Sequence, residues 1–351
     1  MELLELLREG NVVELSKRES NVSSGSFLSE LDEISLMAAI DHRYQWWRQV
    51  ADSFAKSFPQ EIAGNVCLMW DLWLPLATRI EAIFREKNRP VVFGIFGLQG
   101  TGKTTLTAVL KFLLKANSIN AMGFSIDDIY KTHADRKELQ KSQPNLIYRG
   151  PPGTHDIDLG LLVLREIKTR ISTSENPQER PIAIPRFDKS LHGGSGDRIQ
   201  PEFIHGVDVV LFEGWFVGLQ PIPEECFERP NLPPPLVTDA DRDFARQCNR
   251  ELANYLPLWQ EIDKLWVILP EDYTDSKFWR AEAEAKTISL GKPGMDDDRI
   301  SAFVDYFWRS LHPELFIPPL LATPNAVDSI VHIDRDRQLK MVRVSHSIAA
   351  K

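Results

Sequence analysis

The residues Gly97-Leu98-Gln99-Gly100-Thr101-Gly102-Lys103-Thr104 constrain this chain more than any other stretch. They fit the pattern G-x-x-x-x-G-K-[ST]. They follow the apolar run Val91–Phe96, which predicts a buried strand. They open the segment Lys103–Lys115, where Leu106, Val109, Leu110, Leu113 and Leu114 form one helical stripe. Between a strand and a helix, glycines let backbone N–H groups curl around phosphate oxygens, and the helix aims its positive end at them. Lys103 then reaches the β- and γ-phosphates, and the Thr104 hydroxyl suits Mg²⁺. The expectation is a nucleotide-phosphate loop; a glycine-rich turn without ligand is the bland alternative.

The rest of the chain supports that setting. Asn120–Ile126, Val207–Phe212, Lys264–Leu269 and Ser329–Ile333 read as strands. Asp158–Ile171, Thr238–Tyr255 and Phe278–Leu290 read as helices, with Thr238 and Asp241 at capping-box spacing. This alternation predicts an α/β, P-loop NTPase-like fold, a mainly parallel sheet flanked by helices. Residues 1–88 read as an N-terminal helical extension, through Leu36, Ile40, Tyr44 and Trp47 and again through Trp70, Trp73, Leu74 and Thr78. Within it the Ser-rich stretch Glu19–Ser29 reads as a loop. Asn88-Arg89-Pro90 marks a boundary to a second unit, residues 89–351. The Pro-rich segment Pro221–Pro235 reads as a long loop, a lid or a surface connector.

Composition excludes other classes. The chain has 351 residues, 43% apolar and 26% charged, an ordinary globular balance. With 41 Lys and Arg against 50 Asp and Glu, its net charge of −9 is a poor match for nucleic acid. Its longest apolar stretches, such as Val91–Leu98, fall short of the roughly twenty residues of a membrane helix. The start Met1-Glu2-Leu3-Leu4-Glu5 carries acid where a secretion signal needs base. Cys67, Cys226 and Cys248 are widely spaced and offer no zinc pattern. The expectation is a cytoplasmic protein in a reducing compartment, without nucleic acid or membrane as partner. The sequence says nothing of oligomeric state.

Three further groups of residues carry chemistry. Ser125-Ile126-Asp127-Asp128-Ile129-Tyr130 ends the second strand, where open α/β sheets bind ligands. An acid there can take a proton from an attacking hydroxyl, unless it only forms a turn or cap. Val207–Phe212 delivers Glu213 to the same edge, as a Mg²⁺ ligand directly or through water. Lys103, Asp127, Asp128 and Glu213 are therefore the candidate catalytic residues, and Thr104 and Glu213 the candidate metal ligands. The blocks Arg149–Asp156, Pro185–Lys189 and His192–Arg198 read as polar loops that bring bases into an acidic protein. Arginine suits bidentate recognition of carboxylate or phosphate. Their candidate substrate contacts are Arg149, His155, Asp156, Arg186, Asp188, Lys189 and Arg198, although His155 also fits a structural, hydrogen-bonded role. Residues 143–200 thus form a substrate-binding region. Residues 277–297 form a lid region, with Arg280, Lys286 and Lys292 over the phosphates. The candidate nucleotide contacts are Gly97, Gln99, Gly100, Thr101, Gly102, Lys103, Thr104, Thr105 and Arg280.

With these residues in view the chain resembles the D-glycerate 3-kinase family of plant and cyanobacterial type, in the phosphoribulokinase/uridine kinase group of P-loop kinases. The likeness runs from about residue 90 to 335. It rests on the Gln99-containing loop, Ser125–Tyr130, Arg149–Asp156, Pro185–Arg198, Phe212-Glu213-Gly214-Trp215 and Gly291–Met295. The resemblance implies ATP, Mg²⁺ and D-glycerate, giving ADP and 3-phosphoglycerate in photorespiratory glycolate salvage. It carries Gly97–Thr105 over as the ATP phosphate loop and aligns Asp127 with the catalytic acid of the group. Asp128 departs from the small polar residue of some relatives. Asp156 and Arg186 fall where relatives contact substrate. Two rivals stand beside this reading. One is another small-molecule kinase of the group, for uridine, pantothenate or ribulose 5-phosphate. The other is a non-catalytic P-loop switch, for which the NKxD guanine motif is missing.

Overall fold

The computed structural model describes residues 3–21, 32–170, 180–289, 291 and 295–344. Its centre is a six-stranded sheet. The strands of the molecule are β1 (Val91–Gly97), β2 (Ala121–Ser125), β3 (Ile182–Asp188), β4 (Asp197–Ile204), β5 (Val209–Gly214), β6 (Lys264–Pro270), β7 (Ser329–Ile333) and β8 (Leu339–Val344). The sheet order is β2-β5-β1-β6-β7-β8. All pairs are parallel except β7 with β8. The expected α/β fold with a mainly parallel sheet is present.

Alternate residues of the central strands feed two cores. Phe93, Ile95, Val209, Leu211 and Trp266 point to one face. Val92, Phe96, Val210, Phe212 and Val267 point to the other. Helices cover both faces, so these strands read as continuous apolar runs. Leu106, Val109, Leu110, Leu113 and Leu114 of the helix Lys103–Ala116 pack on the first face. The same apolar cluster contains Ile40, Trp70, Leu74 and Ile80 from the helices before residue 88. The chain-order boundary near Asn88 is therefore no boundary in the packing.

Several local expectations need correction. Glu19 lies in the helix Val12–Asn21, where its buried carboxylate meets Arg43 at 3.3 Å; residues 22–29 lie outside the described residues. The blocks Pro185–Lys189 and His192–Arg198, read as loops, belong largely to an antiparallel hairpin of β3 and β4. Backbone pairing holds these strands, and β4 buries none of its side chains. Pro221–Pro235 is a pinned surface connector. Asn249 bonds both the N–H and the C=O of Ile222 at 2.8 Å, and Phe227 is fully buried. The Thr238–Asp241 capping box is formed. Among the described residues no helix is long and apolar enough to cross a membrane.

Candidate functional site

Sheet register sets the site. Glu213 of β5 lies opposite Ser125 of β2 on one side and Ile95 of β1 on the other. The carboxyl ends of three adjacent strands thus bring the 97–104 loop, Asp127 and Glu213 to one edge. Gly100 and Gly102 hold φ of +82° and +87°, the left-handed region that glycine tolerates. A Cβ on Gly100 would sit 2.3 Å from the Cβ of Trp279, so the helix Asp275–Ser289 packs directly on the loop.

Lys103 turns its ammonium onto the carbonyls of Gly97 at 2.7 Å and Leu98 at 2.9 Å. Burial pulls its pKa below the ordinary lysine value, against the carboxylates of Glu213 and Asp127. The Thr104 hydroxyl donates to Glu213 Oε1 at 3.5 Å. Burial also lifts Glu213, opposed by Lys103. A half-buried carboxylate beside a hydroxyl and a phosphate loop is a donor set that fits Mg²⁺. Thr105 lies in the first turn of the same helix. The Thr101 hydroxyl donates to Leu98 O at 2.9 Å, and Gln99 Oε1 is buried without a partner among the described residues.

The neighbouring acids Asp127 and Asp128 have different surroundings. Asp128 closes a capping box on Ser125 N–H at 3.0 Å and pairs with Arg186 at 2.8 Å. Burial nevertheless raises its pKa. Burial would raise Asp127 too, but the Lys189 ammonium at 2.5 Å and the Tyr130 hydroxyl hold it below the usual carboxylate value. Asp127 is thus a partly exposed, ionised carboxylate next to the phosphate loop.

The candidate substrate residues separate in the same way. Arg186 is held by Asp128 and by Glu202, the latter at 2.7 Å. Asp156 caps the helix Ile157–Thr169 through Leu159 N–H and takes Arg198 at 2.8 Å. Arg198 also donates to Tyr130 O at 2.8 Å. Asp188 is half-buried and closes a turn on Ser190. His155 is 2% exposed, bonded through Nδ1 to the Tyr255 hydroxyl at 2.7 Å and stacked on Tyr130 at 4.5 Å. Burial lowers its pKa to about 3, so it stays neutral and is a weak base at neutral pH. Arg149 donates to Gly194 O at 2.6 Å. Arg280 pairs with Glu284 and lies 5.0 Å from the Phe303 ring centre. Lys286 is exposed, and Lys292 lies outside the described residues.

Sequence reasoning missed four contributors. Tyr130 touches Asp127, Arg136 supports the 193–196 loop, Tyr255 fixes His155, and Arg337 donates to Gly100 O at 2.7 Å. Tyr130 stands inside a block the motif reading already singled out. The other three reach the site across long stretches of chain and leave no local pattern.

No known family profile matches the chain. It is 30% identical over 260 residues to chloroplastic D-glycerate 3-kinase of Arabidopsis thaliana, covering 71% of this chain and 53% of that protein. The chain thus spans about half the length of the plant protein. It is also 30% identical over 231 residues to the uncharacterized kinase mug58 of Schizosaccharomyces pombe, covering 64% of this chain and 80% of that one. A solved D-glycerate 3-kinase from Cryptococcus neoformans superposes with a TM-score of 0.68 at 27% identity, covering 78% of this chain and 99% of that one. The chain belongs to the D-glycerate 3-kinase family of P-loop kinases.

Proposed function

We propose that the protein is an ATP-dependent kinase whose acceptor is the hydroxyl of D-glycerate, with 3-phosphoglycerate and ADP as products. The salvage role in photorespiration that the resemblance implies would follow from that acceptor. The observation that carries the reading is the meeting of ionised Asp127, the Lys103 phosphate loop and Glu213 at one sheet edge.

The 97–105 loop would cradle the nucleotide phosphates through its N–H groups. Thr104 and Glu213 would hold Mg²⁺, which when bound spreads the charge of the phosphate oxygens. Lys103 supplies a positive charge where negative charge grows on the transferring group. Asp127 accepts the proton as the acceptor oxygen bonds to the γ-phosphorus and the bond to the ADP oxygen breaks. Lys189 keeps Asp127 ionised before that step. Neutral His155 and Tyr130 form the wall that positions the acceptor.

The test is ATP consumption by the full chain with glycerate, uridine, pantothenate or ribulose 5-phosphate. Turnover that depends on glycerate, and is low with the others, supports the reading. Dependence on another acceptor would replace the substrate and keep the kinase. Turnover unaffected by any of them would favour a P-loop ATPase.

A further inference from the structure

Three arginines were candidates to meet an anionic substrate, and their partners divide them. Arg186 is neutralised by Asp128 and Glu202, and Arg198 by Asp156. Arg149 bonds a carbonyl, and among the described residues no carboxylate stands within ion-pair distance of it. Beside it lies Arg136, 7% exposed, whose guanidinium donates to the carbonyls of Lys131, Ser195 at 2.7 Å and Gly196 at 2.6 Å. Arg136 also has no carboxylate in ion-pair contact among the described residues. Both guanidinium groups lie over the same Phe187 ring, at 5.1 and 5.7 Å.

Two cations over one ring repel one another, and burial strips Arg136 of water. Arg149 accordingly helps to lower the pKa of Arg136. The two arginines line a cavity of about 210 Å³ together with Lys137, Tyr148, Thr154 and Gly194, and its wall contains no Asp or Glu. Asp197 acts on Arg136 from outside that wall, but its oxygens are already engaged by His192 and by the N–H groups of His133 and Arg198. In a protein of net charge −9, a cavity with only cationic charges in its wall is complementary to an anion.

None of the candidate catalytic residues lines this cavity; a chain of ring contacts leads from its arginines to Asp127. Phe187 meets Tyr130 edge-on at 5.0 Å, and Tyr130 helps to hold the Asp127 pKa low. Thr154 in the cavity wall precedes His155, which stacks on Tyr130.

We propose that Arg149, supported by Arg136, is the anion subsite of the acceptor and takes the carboxylate of a short hydroxy acid whose alcohol lies at Asp127. This rests on the reading of the site as a hydroxy-acid kinase. Arg149 uses one N–H on Gly194, which leaves donors in its planar fork for both oxygens of a carboxylate. Arg136, fixed on three carbonyls, holds the 193–196 loop and adds charge.

The experiment compares the full chain with Arg149→Leu and Arg149→Lys, reading KM for D-glycerate and for ATP, and kcat. The proposal expects Arg149→Leu to raise the glycerate KM at least 30-fold, with the ATP KM within twofold, and Arg149→Lys to recover part of the loss. Glycerol 3-phosphate is run as acceptor beside glycerate, to separate a carboxylate from a phosphate at the subsite. A preference for it that Arg149→Leu abolishes overturns the carboxylate assignment. A glycerate KM within threefold of wild type in Arg149→Leu overturns the subsite. Should wild type phosphorylate no acceptor, titration with inorganic sulfate decides. Sulfate binding lost in Arg149→Leu supports the anion subsite while the hydroxy-acid reading falls; no sulfate binding to wild type overturns the subsite itself.

Discussion

Two adjacent carboxylates, Asp127 and Asp128, carry the same charge in sequence and meet opposite fates in space. Asp128 uses one oxygen, Oδ2, for both a cap and an ion pair, while Asp127 faces Lys189 and Tyr130. Asp127→Asn is expected to lower kcat about 100-fold or more, with little change in either KM, because a base acts on the attacking hydroxyl in the transition state. Asp128→Asn is expected to leave kcat within tenfold. Steady-state kinetics on both variants checks this, and the reverse pattern would exchange their roles. A pH profile tests the Lys189 contact. Asp127 works in its ionised form and its pKa is held low, so activity should fall only as pH drops through that low value. Lys189→Met removes the charge that opposes burial, raises the Asp127 pKa and moves the acid limb of kcat/KM to higher pH. An unmoved acid limb would mean that another group sets it.

At the scale of elements, what the sequence revealed depended on how local the physics was. β1, β5 and β6 were legible because a strand covered on both faces is an apolar run, and β7 because its buried positions alternate. The phosphate loop was legible because its geometry needs particular residues within eight positions. The hairpin of β3 and β4 was not. Asp197-Arg198-Ile199-Gln200-Pro201-Glu202-Phe203-Ile204 buries no side chain and breaks the period-two pattern, yet it pairs with β3 along its length. The helix His133–Ser142 escaped notice for the same reason, since its buried residue is Arg136. Ion pairs were less legible still, because Arg186 finds Asp128 across 58 positions of chain. That pair clips the hairpin to the turn after β2. Arg186→Leu is expected to cost about 1–3 kcal/mol, since it leaves a largely buried carboxylate unpaired. Asp128→Asn in the same chain should recover part of that loss, and a urea-melt double-mutant cycle measures the coupling. Additive losses would show that the clip contributes nothing to stability.

On the scale of the whole molecule, residues 1–88 carry none of the phosphate-site motifs, and their described residues supply much of the core. Trp70, Leu74, Leu76, Ala77 and Ile80 are fully buried, in one cluster with Phe93, Val109, Leu110, Leu113 and Trp266. Arg79 reaches out of this region to Asp328, next to β7, at 2.6 Å, and Asp328 also meets Lys264 at 3.3 Å. Each large apolar side chain of this kind contributes about 1.5–3 kcal/mol when fully buried. A handful of them exceeds the whole net stability of a domain, about 5–15 kcal/mol. A chain that starts near Asn88 keeps every phosphate-site motif but bares the face of the helix Lys103–Ala116 that packs against these residues. Its sequence alone suggests a separable catalytic unit, and its packing argues that the phosphate loop loses the support behind its helix. The truncated chain is therefore expected to aggregate, or to melt without cooperativity, and to show no glycerate-dependent ATP consumption. Circular dichroism melts and the acceptor assay, run beside the full chain, check both parts. A soluble truncation with a cooperative melt and measurable turnover would show that the sheet and its other helices fold without the N-terminal core.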